Sequence, residues 1–209
     1  MRPRARSSTS SLKEPTSWLG SREEVDDILG AVVVVFGCGP IGLFSVGLAA
    51  SYGAEEVIAV EPRGYRLQLA ERMGAHHLLD PKDVDVAEEI LSLTRERGGA
   101  DVVLEMSGND RAIQDATRVV RPGGWISLLG IPHRTVELDI SRDIIFKGVK
   151  IYGIVGRRMF ESWYRVQGIL SSDRLDISPV LTHKLPLDKF EEGFHLMQEG
   201  RCGKVVLIP

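Results

Sequence analysis

The 209-residue sequence is short of cysteine, aromatic residues and net charge, and each shortage closes a route to function. Two cysteines, Cys38 and Cys202, are too few and too far apart for a disulfide framework, so the expected setting is reduced and cytoplasmic. A formal net charge of -3 offers no basic face to nucleic acid or to an anionic membrane. The five histidines (His76, His77, His133, His183 and His195) form no H-E-x-x-H, and the cysteines form no C-x-x-C. Zinc catalysis needs about three converging ligands, and no such spacing occurs, so no metal ligand and no catalytic residue is assigned to this chain. The adjacent His76 and His77 read as a surface or strand pair. None of Tyr52, Tyr65, Tyr152 and Tyr164 is followed four residues later by lysine, which removes the Tyr-x-x-x-Lys proton donor of short-chain reductases. Aromatic residues make up 6% of the chain, while Gly and Val are plentiful, as in a parallel α/β sheet.

One further absence is local. From residue 28 to residue 54 no side chain is charged, a run long enough to span a bilayer. Six glycines and Pro40 interrupt it, and its character changes midway, which argues against a membrane span. Residues 31–36 are apolar and mostly β-branched, a strand buried on both faces. Gly37, Gly39 and Gly42 then match G-x-G-x-x-G, with Pro40 at the first turn of the following helix. One glycine makes the tight turn, the next lets a pyrophosphate approach the backbone, and the third lets helix and strand pack closely. The helix has Ile41, Phe44 and Leu48 on one face and ends near Gly53. A second apolar strand, residues 57–60, ends in Glu61, nineteen residues beyond Gly42. An acid at that place accepts hydrogen bonds from the adenosine ribose of NAD and repels the 2′-phosphate of NADP. Arg63 and Arg66 lie close by and leave NADP open.

The alternation continues. Tyr65, Leu69 and Met73 mark a helix closed by Gly74, residues 76–79 a short third strand, and Val86, Ile90 and Leu93 a helix stopped by Gly98 and Gly99. Residues 102–104 form the fourth strand, 110–120 a helix, 125–129 the fifth strand and 149–154 the sixth. Strands separated by helices predict right-handed crossovers and a six-stranded, doubly wound parallel sheet. Ligands bind beyond the carboxyl ends of such strands. The remaining pieces are a helix at 159–170, a strand at 179–185, an amphipathic helix at 187–198 and a strand at 205–208; following a complete sheet, they are expected to pack elsewhere. Residues 1–22, with Arg2, Arg4, Arg6 and a Ser/Thr run, read as a disordered leader or an accidental start, with a transit peptide as the alternative. Residues 21–28 read as a short helix or an extended lead into the first strand.

These motifs resemble the medium-chain, zinc-type alcohol dehydrogenases and, within them, the L-threonine 3-dehydrogenases. The resemblance runs from about residue 32 to residue 206. It is carried by the stretches 37–42, 61–66, 104–108, 129–132, 145–148, 156–164, 179–183 and 203–206, of which 156–164 is the most particular. It implies a Rossmann domain at 23–156, followed at 157–209 by a C-terminal remnant of a catalytic domain. It also implies an NAD site. Gly37, Gly39, Pro40, Ile41 and Gly42 would meet the nucleotide, with Ile41 packed under it. Glu61 and Arg66 would hold the adenosine ribose, and Ser107 would face the cofactor. Leu129, Gly130, Ile131, Ile154 and Val155 would line the nicotinamide side. Two blander readings stand beside these: Arg66 as a solvated helix charge, and Leu129 and Ile131 as plain core. Cys38, inside the loop, reads as a small neutral filler.

In the family an N-terminal half carries the catalytic zinc, the proton relay and most substrate contacts. Here the glycine motif comes at residue 37, so a truncated chain is expected, one that binds NAD(H), lacks zinc and is inactive alone. A small-molecule substrate would be met only with that other half. The family reaction is oxidation of the 3-hydroxyl of L-threonine with hydride transfer to NAD. A non-catalytic dinucleotide-binding module and a sorbitol- or butanediol-type enzyme are the alternatives. The strand at 205–208 is expected to be an unpaired edge and the Phe190, Phe194 and Met197 face to lack cover, which predicts poor solubility, a homo-oligomer or other self-association, or docking onto a separate partner.

Overall fold

The computed structural model describes residues 27–156 and 159–209. The proposed leader, most of the 21–28 segment, and Arg157 and Arg158 of the 156–164 motif lie outside the described residues.

Six parallel strands form one sheet. They are β1 (Val32–Phe36), β2 (Glu56–Val60), β3 (His77–Leu79), β4 (Ala100–Glu105), β5 (Val120–Leu128) and β6 (Lys150–Gly153), in the order β3-β2-β1-β4-β5-β6. Helices α1 (Pro40–Ser51), α2 (Gly64–Arg72), α3 (Val86–Leu93) and α4 (Asp110–Val119) connect them. The order reverses at β1, which places the crevice above the end of that strand.

The unbroken apolar run of β1 follows from its central position. Val33 and Val35 enter one core with Leu43 and Val46 of α1, and Val32, Val34 and Phe36 enter the other with Ile90 of α3 and Val119 of α4. Both sets are buried, so no position on the strand tolerates a polar side chain. Helix α1 is in contact on more than one side. Its buried residues include Leu43, Val46 and Ala49, whereas Ile41, Phe44 and Leu48 face a separate apolar cavity. The expected helical face is therefore real, but it is not the one against the sheet.

Local capping agrees with the predicted helix starts. Asp85 accepts from the Glu88 N–H at 3.2 Å at the head of α3, and Asn109 accepts from the Arg111 and Ala112 N–H groups at 3.0 and 3.2 Å at the head of α4. Strand β5 begins earlier than hydrophobicity suggests, because Val120 continues straight out of α4 and pairs with Ala100 before a register shift.

After β6 come α5 (Glu161–Ser171), β7 (His183–Pro186), α6 (Phe190–Glu199) and β8 (Val205–Ile208). Two expectations are corrected here. Residues 205–208 are not an unpaired edge: β8 pairs in parallel with β7, from His183–Val205 to Pro186–Ile208. The strand expected at 179–185 starts only at His183, since Val180 turns inward and is fully buried among Leu69, Met73 and their neighbours. The C-terminal pieces thus dock in part on the sheet domain itself. The face carrying Phe190, Phe194 and Met197 is exposed as expected.

Asp101 ties the start of β4 to the start of β1. Its Oδ2 accepts the Val32 N–H at 2.8 Å, and the carboxylate also pairs with Arg121 and with Arg97 at 3.1 Å. Burial alone would raise its pKa, but the Val32 N–H and the two guanidiniums outweigh burial and hold the carboxyl below its ordinary range. A lowered carboxylate stabilises the fold above its unfolded-state value and loses that contribution as pH falls through the lowered one. Asp101→Asn is therefore expected to cost about 1–2 kcal/mol in urea denaturation at pH 7. The gap to the parent chain should narrow once pH drops below about 4.

Candidate functional site

A cleft of about 510 Å³ opens at the carboxyl ends of β1, β2 and β4, lined by Gly37, Gly39, Glu61, Arg63, Arg66 and Ser107 among others. Its floor is the glycine turn. Gly37 sits at φ 86° and donates its N–H to the Val60 carbonyl at 2.8 Å, stitching the turn to β2. Gly42 lies so near the Gly37 carbonyl that a Cβ there would come within 1.8 Å of the oxygen. Gly39 differs from both. A Cβ at that position would meet nothing within 4 Å, so the room it leaves faces the cleft rather than the protein. Gly39 also heads α1, provides no side-chain cap, and is followed by Pro40 with no acidic residue in the first turn. The free N–H groups of that turn, with the helix dipole behind them, suit a negatively charged group.

Glu61 is buried beside this turn, 3% exposed. Its Oε2 accepts the Cys38 N–H at 2.9 Å. Its Oε1 is buried, receives no hydrogen bond among the described residues, and lies 3.7 Å from an Arg63 nitrogen. A buried carboxylate oxygen without a donor is costly unless something else supplies one. A ribose hydroxyl in the cleft meets that need, and the chain fits a dinucleotide at this point. Arg66 is half-buried and donates through Nε to the Cys202 carbonyl at 3.4 Å. It is thus held by the C-terminal segment as well as facing the cleft.

The residues expected on the nicotinamide side stand at the same end of the sheet but outside the cleft lining. Leu129 and Gly130 follow β5, and their N–H groups donate to the Glu105 carbonyl at 3.0 and 3.1 Å. Ile154 donates to the Leu128 carbonyl at 2.9 Å, which sets it beside the end of β5. Ile131 is 83% exposed and Val155 95% exposed, so Ile131 is not core. Ile41 joins Phe44, Leu48 and α5 residues around an apolar cavity of about 320 Å³, away from Glu61.

Glu105, fully buried at the end of β4, lies outside the cleft lining. Burial pushes its pKa up. Asn109 and Arg111 line the cleft, and nothing in the sequence marks them for it.

Among the described residues no group of three or more His, Cys, Asp or Glu side chains is placed to hold a metal. His76 Nδ1 accepts from the Val57 N–H at 3.0 Å, and His77 contacts Glu56 at 3.2 Å, so both are engaged in the β2–β3 edge. Burial pushes the Cys38 thiol far up, which leaves it neutral and unreactive.

The family model for zinc-binding dehydrogenases matches residues 40–172. The chain is 46% identical over 180 residues to an L-threonine 3-dehydrogenase of Bacillus licheniformis, covering 86% of this chain and 52% of that protein. It is 41% identical over 182 residues to an L-threonine 3-dehydrogenase of Pyrococcus horikoshii, covering 87% and 52%. Among solved structures it resembles an alcohol dehydrogenase of Thermotoga maritima, with TM-score 0.78, 32% identity and coverage of 88% and 51%. It likewise resembles 2R,3R-butanediol dehydrogenase of Bacillus subtilis, with TM-score 0.78, 28% identity and coverage of 94% and 59%. The chain spans about half the length of the curated relatives it matches.

The glycines separate stability from ligand space. Gly42→Ala must push against backbone and is expected to destabilise the fold by about 3 kcal/mol. Gly39→Ala, which meets no protein atom, should leave the thermal midpoint where it was; differential scanning calorimetry of both variants checks the pair.

Proposed function

The chain belongs to the zinc-binding dehydrogenase family, and on that premise we propose that it forms the NAD-binding half of an L-threonine 3-dehydrogenase-type enzyme. The observation that carries the reading is the buried Oε1 of Glu61, which has no hydrogen-bond donor among the described residues and is set beside an uncapped helix N-terminus at the cleft. The first turn of α1 binds the pyrophosphate through its N–H groups. Glu61 accepts the adenosine ribose hydroxyls through Oε1, while the Cys38 N–H holds its other oxygen in place. Arg66 closes the adenosine side. The exposed Ile131 and Val155, with Leu129, Gly130 and Ile154, cover the nicotinamide and keep water from it.

When bound, NAD supplies the hydride acceptor for oxidation of the 3-hydroxyl of L-threonine. No zinc ligation and no proton transfer is assigned to this chain, and the 209 residues alone are proposed to bind NAD(H) without turning over threonine. The choice of NAD over NADP follows from the place of Glu61, whose charge opposes a 2′-phosphate.

Titration of NADH fluorescence tests the binding. Saturable binding is expected, and Gly39→Val and Glu61→Arg should each weaken it at least about tenfold, with circular dichroism reporting the fold. Threonine-dependent NADH formation by this chain alone would overturn the assignment of no turnover. The same reading includes self-association, since Phe190, Phe194 and Met197 leave an apolar face open. Sedimentation velocity should show species larger than one chain, and a monomer at high concentration would speak against it.

A further inference from the structure

We propose that Glu105 is a positioning residue of the cofactor site, whose carboxylate locks the loops after β1, β4 and β5 into one wall and thereby orients the nicotinamide half of the dinucleotide. The proposal rests on the dinucleotide reading above. Glu105 is fully buried at the end of β4, and the groups that act on its carboxyl are hydrogen-bond donors, with no arginine, lysine or histidine among them. A carboxyl buried without a cation is costly unless hydrogen bonds satisfy both its oxygens.

Its contacts meet that condition. Oε1 accepts the N–H of Ser107 at 2.9 Å, the N–H of Gly108 at 3.0 Å and the Ser107 hydroxyl. Oε2 accepts from the Gly108 N–H at 3.2 Å and rests against Gly130, where a Cβ would come within 2.7 Å of it. Through Ser107 the brace reaches two further elements. Ser107 Oγ accepts the Asn109 N–H at 3.0 Å, and Asn109 in turn caps α4. The Ser107 Cβ packs on Gly37, where an added Cβ would lie 2.7 Å from it. The main-chain carbonyl of the same Glu105 holds Leu129 and Gly130. One residue therefore joins the glycine turn, the 105–109 loop and the 129–131 loop.

Topology says which half of the ligand this wall meets. Glu61 ends β2, on one side of β1, while β4 and β5 lie on the other. A dinucleotide whose ribose meets Glu61 and whose pyrophosphate sits on α1 has its second half over β4 and β5. Loosening the Glu105 wall should then affect that half and spare the first.

The test compares NADH with ADP-ribose, which lacks the nicotinamide, as ligands of the full chain by calorimetry. Glu105→Gln offers one acceptor oxygen in place of two. It is expected to bind ADP-ribose within about twofold of the parent chain and NADH at least about tenfold more weakly, with loss of the nicotinamide fluorescence enhancement. Unchanged NADH affinity and fluorescence in Glu105→Gln would overturn the proposal, as would equal weakening of both ligands, the mark of a merely structural role. Should Glu105→Gln fail to fold, Ser107→Ala decides. It removes only the shared hydroxyl and is expected to weaken NADH about threefold with ADP-ribose unchanged, and no change in either ligand would overturn the proposal. A parent chain that binds neither ligand would overturn the dinucleotide reading and this proposal with it, whereas parent binding with no selective effect in the variants would overturn this proposal alone.

Discussion

The approach of the Gly37 carbonyl to Gly42, tight enough that a single methyl group would collide with it, is the constraint on which the cleft depends. It brings the first turn of α1 down onto the end of β1, so that the helix N-terminus points at the crevice instead of past it. The central position of β1 makes the geometry rigid. That strand is buried on both faces, hydrogen-bonded to β2 and β4, and has no freedom to absorb a shift at its end.

Two buried glutamates flank this turn, at the ends of the strands on either side of β1. Each accepts backbone N–H groups from an adjoining loop, yet they differ in what they leave over. Glu61 spends one oxygen on Cys38 and, among the described residues, leaves the other without a hydrogen-bond donor, 3.7 Å from an Arg63 nitrogen. Glu105 spends both oxygens on Ser107 and Gly108 and keeps none, which is the arrangement of a brace. The same side chain, displaced by one residue in register across β1, thus sits in two different hydrogen-bonding settings. The difference lies in how many N–H groups the following loop turns back toward it.

The C-terminal residues bear on the site through a few backbone contacts. Arg66 donates to the Cys202 carbonyl, and Arg63 lies across Gly200, the left-handed residue that ends α6. Val180 and Gly203 pack together beside Leu69 of α2. The segment after β6 is therefore not an appendage to the sheet domain. It helps set Arg63 and Arg66 at the cleft, even while much of its own apolar surface stays open.

Much of this was legible in the residues. The sheet, its order of strands and helices, the glycine turn and the place of Glu61 just after the second strand all follow from patterns within about thirty residues of one another, the size of one βαβ unit. Periodicity and turn chemistry are local, and a buried parallel strand announces itself by its composition. Contacts between segments remote in sequence do not. Nothing in residues 179–208 says that β8 will pair with β7 across the length of α6, or that Val180 will turn inward ahead of the strand. Nothing in residues 104–108 says that Glu105 will meet Gly130. The Ile41, Phe44 and Leu48 stripe was visible, but which side of α1 meets the sheet was settled only by where α5 comes to rest. The sequence alone determined the alternation of strands and helices from β1 to β6 and the glycine turn at its first crossover. Only the tertiary structure decided which buried oxygen is left free and which is used up, because that depends on donors brought together from separate turns of the chain.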